Sequence, residues 1–197
     1  MLEHVNIETL DPASTVVVAT GNMHKLVEIE DILSGVLPGV RFVALGQLGE
    51  GPDPEETGLS AIADDSGLVV DALDGEPGVY SARYAGVHGD DAANNAKLLE
   101  KLAGVPDGER AARFMSVIAL VDASGAVFTG EGACEGVIGH EGRGEHGFGY
   151  DPLFLPNDTP GLTMAELEPA QKNAISHRFH ALQDLARQIM PAEGDAA

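Results

Sequence analysis

The chain has 197 residues, of which 44% are hydrophobic and 22% charged, a composition typical of a globular protein. Eleven Lys and Arg residues oppose 32 Asp and Glu residues, and the resulting net charge of −21 argues against nucleic acid as a partner, because such binding depends on neutralising phosphates. The sequence contains neither an apolar run long enough to span a membrane nor a recognisable targeting peptide. We therefore expect one cytoplasmic domain over residues 1–197, with its ordered core at roughly residues 15–190.

The N-terminal part alternates strand and helix signals. A β-branched run over residues 15–20 predicts a strand, and the apolar spacing that follows predicts a helix capped by Asn22 and stopped by Gly35. Residues 40–45 predict a second strand. Residues 62–73 predict a strand or hairpin that an acidic pair interrupts.

The C-terminal part begins with a predicted helix over residues 90–102. Residues 114–121 and 127–138 predict two strands joined by a tight turn, and residues 139–160 predict a long functional loop. Residues 173–190 predict one closing amphipathic helix. The only cysteine, Cys134, has no partner for an internal disulfide and is expected to be a buried, unreactive thiol.

The segment from Thr20 to Lys25 combines a glycine turn, a helix N-terminus and a lysine within six residues. Backbone N–H groups and one ammonium group could bind a phosphate there. The alternative is an ordinary capped helix with a surface lysine. The segment lacks the spacing of a Walker A loop.

Asp64 and Asp65 stand side by side after apolar residues. Adjacent residues of a strand point to opposite faces, so the two carboxylates can have different roles. Hard oxygen ligands suit Mg²⁺, and Glu55 or Glu56 could add another. The alternative is a turn in which the aspartates cap local backbone groups.

Residues 147–152, Gly-Phe-Gly-Tyr-Asp-Pro, combine flexible backbone, two aromatic rings and an acid, as a nucleobase pocket requires. Packing of Phe148 and Tyr150 in the core is the alternative. The preceding Gly-x-Gly-x-x-Gly pattern at 142–147 does not follow a strand that enters a helix, which excludes a dinucleotide fold.

Lys172, His177 and Arg178 concentrate cationic groups in a chain that has few of them. They could bind a polyphosphate or a purine carbonyl. The alternative is a set of solvated basic residues.

These motifs, in this order, resemble the inosine triphosphate pyrophosphatase family, also called the Ham1 family. The resemblance extends over roughly residues 16–185, nearly the whole chain. The motifs that carry it are Thr20-Gly-Asn-x-x-Lys25, Glu56-Thr-Gly58, Ala63-Asp-Asp-Ser-Gly67, Pro77-Gly-Val-Tyr-Ser-Ala-Arg-Tyr84, Gly147-Phe-Gly-Tyr-Asp-Pro152 and Lys172-Asn-x-Ile-Ser-His-Arg178.

The resemblance implies an α/β fold with an elongated mixed β-sheet flanked by helices, two-lobed with a central cleft, and a homodimer. It implies Mg²⁺-dependent cleavage of ITP, dITP and XTP between the α and β phosphates. Asp65 would bind Mg²⁺ and act as the base, Glu56 would help to hold the metal, and Lys25 would take part in catalysis. Phe148 would stack on the purine. The implied substrate contacts are Thr20, Gly21, Asn22, Met23, His24, Lys25, Ser66, Phe148, Gly149, Tyr150, Asp151, Lys172, His177 and Arg178.

One segment departs from the family pattern. Family members have a helical segment containing Glu-Asn-Ala-x-x-Lys-Ala between the motif that ends at Gly58 and Ala63, where this chain has only residues 59–62. Roughly twenty residues, about five turns of helix, are missing, together with a lysine that the family directs at the phosphates. Two alternatives follow: a nucleotide-binding homologue with impaired catalysis, and a pyrophosphatase for other modified nucleotides.

Overall fold

The computed structural model describes residues 5–48 and 58–189, which include a six-stranded β-sheet. The sheet order is β2-β1-β3-β4-β5-β6; β1 pairs in parallel with β2 and β3, and β6 pairs antiparallel to β5. The predicted α/β class with a mixed sheet is thereby confirmed. The strands are β1 (Thr15–Val18), β2 (Arg41–Ala44), β3 (Ser60–Val70), β4 (Ala111–Val121), β5 (Val127–Ile138) and β6 (Phe154–Pro156). The helices are α1 (Met23–Val36), α2 (Asp91–Lys101), α3 (Pro169–Ile175) and α4 (His177–Ile189).

The chain divides into two compact units. Unit 1 comprises Met1–Asp65, Val117–Glu131 and Ala181–Ala197, and unit 2 comprises Ser66–Ser116 and Gly132–His180. The first boundary lies within β3, so the consecutive residues at positions 65 and 66 belong to different units.

In unit 1, α1 begins as its sequence predicts. The side chain of Asn22 accepts hydrogen bonds from the backbone N–H groups of His24 (2.9 Å) and Lys25 (3.4 Å), which confirms the predicted N-cap. Ile29 and Leu33 are buried one turn apart on the apolar face of the helix. The capped start and the buried face together fix where α1 lies along the chain.

The predicted interruptions in unit 1 are wrong. Gly35 lies inside α1, and the helix ends one residue later, where the N–H of Leu37 bonds to the carbonyl of Leu33 (2.7 Å). Glycine in a helix costs only about 1 kcal/mol relative to alanine, which burial of the apolar face readily offsets. β3 also continues without a break through Asp64 and Asp65.

In unit 2, the predicted closing helix divides into two. Ser176 has extended backbone angles (φ −70°, ψ 152°) and separates α3 from α4. Its Oγ accepts a hydrogen bond from the N–H of Phe179 (3.1 Å), the arrangement of an N-cap, for which serine is favoured. The prediction of one helix over residues 173–190 is therefore wrong. The short strand β6 lies within the segment predicted as loop.

The core of unit 2 contains a large apolar cluster that includes Leu68, Leu98, Phe154 and Cys134. Burial is the main cause that raises the pKa of the Cys134 thiol to about 12. The prediction of a buried, unreactive cysteine is confirmed as far as burial is concerned. Within the described ranges of both units, no helix is long and apolar enough to cross a membrane.

Candidate active site

The start of α1 presents the first group of predicted site residues. Thr20 and Asn22 are half-buried, whereas Gly21, Met23 and His24 are exposed. The Thr20 hydroxyl accepts the N–H of Asn22 (3.1 Å), and the Asn22 side chain occupies two N–H groups of the first turn. This ordered turn holds the lysine of the motif at a fixed position on the helix.

Lys25 forms an ion pair with Asp64 within unit 1. Its Nζ lies 2.8 Å from Asp64 Oδ2 and 3.2 Å from the Asp64 carbonyl oxygen. The side chain of Asp64 has no exposed surface, and that of Lys25 is 18% exposed. Such a carboxylate requires a cation, because an uncompensated buried charge is strongly unfavourable. One member of the acidic pair is therefore committed to positioning the lysine.

Asp65 is exposed, in contrast to its neighbour. The alternation of β3 directs the two side chains to opposite faces, and they differ in exposure; that they also differ in role stays a prediction. Within the described ranges, no group of three or more His, Cys, Asp or Glu residues could hold a metal ion. Glu55 and Glu56, the predicted additional ligands, lie outside the described residues.

In unit 2, the loop from Gly147 to Asp151 is closed by its own aspartate. Asp151 Oδ2 accepts the N–H of Phe148 at 2.9 Å. Gly147 has a positive φ of 77°, and a Cβ at this position would overlap the Asp151 carboxylate. Only glycine fits both conditions, since it lacks a Cβ and tolerates a positive φ. The carboxylate thus fixes the backbone on either side of the half-buried Phe148 ring.

Lys172 binds the same carboxylate from α3. Its Nζ lies 2.6 Å from Asp151 Oδ2 and 4.8 Å from the centre of the Phe148 ring. The two charged side chains are only 6% and 4% exposed. The ammonium group therefore links the acid to the aromatic ring, and a cation over an aromatic face is itself favourable.

The first turn of α4 contains the remaining cationic residues. The buried guanidinium of Arg178 donates through Nη2 to the Ser66 hydroxyl at 3.0 Å, and the His177 ring stacks on Phe114 with centroids 4.9 Å apart. Both residues are buried, so the alternative of solvated basic residues is wrong. Within unit 2, Arg178 is thus hydrogen-bonded to Ser66, which follows Asp65 in the sequence.

Tyr150 occupies a different environment from Phe148. Its ring lies in the core of unit 2, its hydroxyl donates to the Ser81 carbonyl (2.9 Å), and burial raises its pKa. The core-packing alternative therefore describes Tyr150. The role of this residue as a substrate contact stays a prediction.

Two residues of α2 that sequence reasoning did not single out also reach the loop. Gly149 donates its N–H to Asp91 Oδ2 (2.7 Å) and accepts at its carbonyl from Asn95 Nδ2 (2.8 Å). The four-residue spacing that places two side chains on one helix face was the available signal. It does not reveal which distant peptide they bind.

The arrangement therefore consists of two chemical groups. The first set, in unit 1, comprises the start of α1 with Lys25, and the acidic pair Asp64 and Asp65. The base group, in unit 2, is the Gly147–Asp151 loop with the residues that bind it. The first contains a lysine paired with Asp64 and the exposed carboxylate of the next residue, Asp65, and the second contains an ordered aromatic ring with buried hydrogen-bond donors. These are the functional groups that a nucleotide's phosphates and base require.

Known proteins resemble this chain over most of its length. The sequence model of the Ham1 family matches residues 55–188. A dITP/XTP pyrophosphatase from Mycolicibacterium paratuberculosis is 46% identical, over 91% of this chain and 95% of its own. One from Geobacter sulfurreducens is 50% identical, over 84% of this chain and 92% of its own. The solved structure of a HAM1 protein from Coxiella burnetii is 38% identical, with a TM-score of 0.73 over 89% of this chain and 98% of that one.

These relatives carry additional residues inside the aligned region. The M. paratuberculosis alignment has 199 positions, whereas 91% of 197 residues is about 179, which leaves about 20 positions without a residue in this chain. The G. sulfurreducens alignment has 185 positions against about 165 residues, 84% of 197, and leaves about 20 again. The size of this difference equals that of the segment predicted to be missing before Ala63. Its place in the chain stays a prediction.

Proposed function

The chain belongs to the Ham1 family, and from this premise we propose that it hydrolyses dITP, XTP and ITP to the nucleoside monophosphate and pyrophosphate. Removal of these non-standard purine nucleotides would cleanse the nucleotide pool. The observation that carries the proposal is the exposed carboxylate of Asp65 beside an enclosed partner, Asp64, that binds Lys25. This combination supplies a proton acceptor and a phosphate-binding cation on adjoining elements of unit 1.

Mg²⁺ is the proposed cofactor. This ion is usually held by one or two carboxylates together with waters and substrate phosphates, so a lone exposed carboxylate fits it without a preformed cage. Asp65 is the proposed ligand, and Glu56, outside the described residues, is the proposed second one. When bound, Mg²⁺ neutralises phosphate charge and lowers the pKa of bound water.

In the proposed reaction, Asp65 accepts a proton from the water that attacks the α phosphorus. A bond forms between this water oxygen and phosphorus, the bond from phosphorus to the oxygen bridging to the β phosphate breaks, and pyrophosphate leaves with the electron pair. Lys25 has three N–H donors, of which Asp64 accepts two through its carboxylate and its carbonyl. The third is assigned to a phosphate oxygen, and the buried pair holds the ammonium in place.

The base group accounts for the choice of purine. Phe148 provides a ring for stacking, and Lys172 and Arg178 carry hydrogen-bond donors only. A keto oxygen at purine position 6 is an acceptor and suits such donors, whereas the 6-amino group of adenine would oppose donor to donor. A donor that meets another donor leaves a polar group of the ligand unsatisfied, and a site built to hydrogen-bond its substrate rejects such an analogue by a large factor. Discrimination against GTP is assigned to its 2-amino group, which ITP and dITP lack and XTP replaces with a keto group.

A substrate panel tests the proposed function. The purified protein is incubated with dITP, ITP, XTP, ATP and GTP, each with Mg²⁺ and with EDTA, and released pyrophosphate is measured. We expect release from the first three nucleotides, little from ATP and GTP, and none with EDTA. Release of inorganic phosphate alone, or equal activity on ATP, would contradict the assigned reaction. A second panel of methylated and pyrimidine nucleotides covers the alternative substrate class, which faster release from one of these than from dITP would favour.

The homodimer that the family resemblance implies and the cytoplasmic location that the sequence predicts complete the proposal. Size-exclusion chromatography with light scattering measures the first, and a monomer at micromolar concentration would contradict it. Cell fractionation with an antibody against the protein measures the second, with the signal expected in the cytosolic fraction.

A second candidate function is nucleotide binding with impaired catalysis. This chain lacks about 20 aligned positions that two relatives named dITP/XTP pyrophosphatase have, and this difference favours impaired catalysis. Calorimetric binding of dITP without pyrophosphate release would support this candidate. Insertion of the corresponding segment of the M. paratuberculosis protein between Gly58 and Leu59 should then raise turnover. Full activity of the chain as it stands would exclude this candidate.

A further inference from the structure

Both backbone polar groups of Gly149, its N–H and its carbonyl, are bound by side chains on one face of α2. Asp91 Oδ2 accepts its N–H at 2.7 Å, and Asn95 Nδ2 donates to its carbonyl at 2.8 Å. The two side chains are four residues apart and therefore lie on the same side of the helix. Both bonds are part-buried, so water competes weakly for them.

The N-terminus of α2 is capped without the help of Asp91, so capping does not explain the bond from Asp91 to Gly149. Asp90 is already the N-cap, and its carboxylate accepts the N–H of Ala93 at 3.0 Å. A second acid in the first turn gains a modest interaction with the helix dipole whether or not it binds another segment. The bond from Gly149 is therefore a specific contact, and a carboxylate acceptor makes it stronger than a neutral one.

The loop that α2 holds is the one that carries Phe148. Gly149 has φ +63°, and glycine without a Cβ samples many backbone conformations. On one side, the N–H of Phe148 is fixed by Asp151, and on the other, the Tyr150 hydroxyl is fixed by Ser81. The bonds from α2 immobilise the flexible residue between these two fixed points.

We propose that Asp91 and Asn95 are positioning residues that hold the Phe148 ring in the orientation that binds the purine. The inference rests on the proposed function, because it assigns the ring to base binding. Loss of either bond lets one of the two peptide groups that flank Gly149 rotate. The Phe148 ring then spends less time in its binding orientation. The affinity for the nucleotide falls, while the reacting groups of unit 1 are unchanged.

The test compares Asp91→Ala, Asn95→Ala and the conservative Asp91→Asn, whose side-chain oxygen still accepts an N–H. Glu100→Ala is the matched control, since Glu100 is exposed near the other end of α2. Alanine has higher intrinsic helix propensity than either replaced residue, which offsets the modest helix-dipole interaction that Asp91→Ala removes. Folding is checked by circular dichroism and thermal unfolding.

We expect the two alanine variants to raise the KM for dITP about tenfold with kcat within about twofold, the pattern of lost ground-state binding. Asp91→Asn should restore most of the affinity, and Glu100→Ala should match the wild type. A general loss of stability would instead lower the active fraction and reduce kcat without changing KM. Unchanged KM in folded alanine variants would overturn the proposal.

Calorimetric titration with dITP separates this proposal from the proposed function. If the wild type binds dITP but releases no pyrophosphate, the reaction is refuted, and the ratio of dissociation constants still measures positioning. If the wild type turns dITP over and the folded alanine variants bind as tightly as it does, the reaction stands and positioning is refuted. If the wild type binds no nucleotide, both are refuted. Should Asp91→Ala not fold, Asn95→Ala and Asp91→Asn decide alone.

Discussion

A lysine binds an aspartate in each unit, but the two ion pairs differ in what surrounds them. In unit 1, Lys25 is 18% exposed, and the residue after its partner, Asp65, is an exposed acid. In unit 2, Lys172 and Asp151 are 6% and 4% exposed, and the carboxylate also accepts a backbone N–H. The first pair lies beside a group open to solvent, and the second lies among groups that are already bonded.

Under the proposed function, this difference separates chemistry from recognition. The proposed proton acceptor must meet water, so its carboxylate has to remain accessible, as that of Asp65 is. A base pocket gains from groups that are ordered before the ligand arrives, because binding then costs less conformational entropy. The Asp151–Lys172 pair orders backbone and ring together. Variants of the two units should therefore fail in different ways.

The largest expected effect is that of Asp65→Asn on turnover. The amide cannot accept the proton of the attacking water, so kcat for dITP should fall by roughly 10²- to 10⁴-fold, the usual contribution of a general base. Pyrophosphate release measures the rate, and thermal unfolding should be unchanged because the side chain is exposed. Asp74→Asn is the control, an acid at positive φ (51°) where asparagine is equally tolerated. A variant with nearly wild-type turnover would assign the base to another residue.

The next effect is that of Lys172→Met on stability. It leaves the Asp151 carboxylate buried without its cation, which costs roughly 3–5 kcal/mol of unfolding free energy. Urea unfolding measures the loss, and dITP affinity should fall with it because Phe148 loses its cationic neighbour. Lys101→Met removes a lysine from an exposed pair with Glu76 in the same unit and should cost much less stability, because water screens that pair. Equal losses would show that burial does not distinguish these pairs.

Lys25→Met should be intermediate in stability and severe in function. Its partner Asp64 is enclosed, but water can reach the partly exposed lysine position, so we expect a cost of about 1–3 kcal/mol, nearer that of an unsatisfied polar group. Turnover of dITP should fall because Lys25 is assigned to a phosphate. The affinity for deoxyinosine, the nucleoside of dITP, should be unchanged because it has no phosphates. A stability loss larger than that of Lys172→Met would reverse the comparison between the units.

Local signals made much of the fold predictable. Asn22 was recognisable as a cap, and β4, β5 and α2 each have an uninterrupted pattern of their own. The break at Ser176 was not predicted, because apolar residues continue at helical spacing on both sides of it. β6 was missed because a three-residue strand depends on pairing with β5 and not on its own composition.

The residue types of the candidate site are recognisable in the sequence, but their pairings are not. The motifs predict Lys25, Ser66 and Arg178 as site residues and place Asp64 in an acidic pair. Lys25 lies 39 residues from Asp64, and Arg178 lies 112 residues from Ser66, so no local pattern announces either bond. Asn95 was overlooked for the same reason, since its partner is 54 residues away. Residue types follow from chemistry, whereas partners follow from the tertiary fold.

The smallest expected effect is a change in the rate at which Cys134 is labelled by a disulfide reagent, which compares the two units directly. It is the only cysteine of the chain, it lies in unit 2, and burial raises its pKa to about 12. At pH 8 only about one thiol in ten thousand is then ionised, and because the thiolate is the reactive form, a disulfide reagent should label the native protein very slowly. Labelling should accelerate in urea. The two lysine variants are compared at equal unfolding free energy, which is reached by adding urea to the more stable one. Under that condition, Lys172→Met should accelerate labelling more than Lys25→Met does, because it weakens the unit that holds the thiol. Equal rates would mean that the cysteine is exposed only when both units unfold together, in which case the two ion pairs stabilise one cooperative structure.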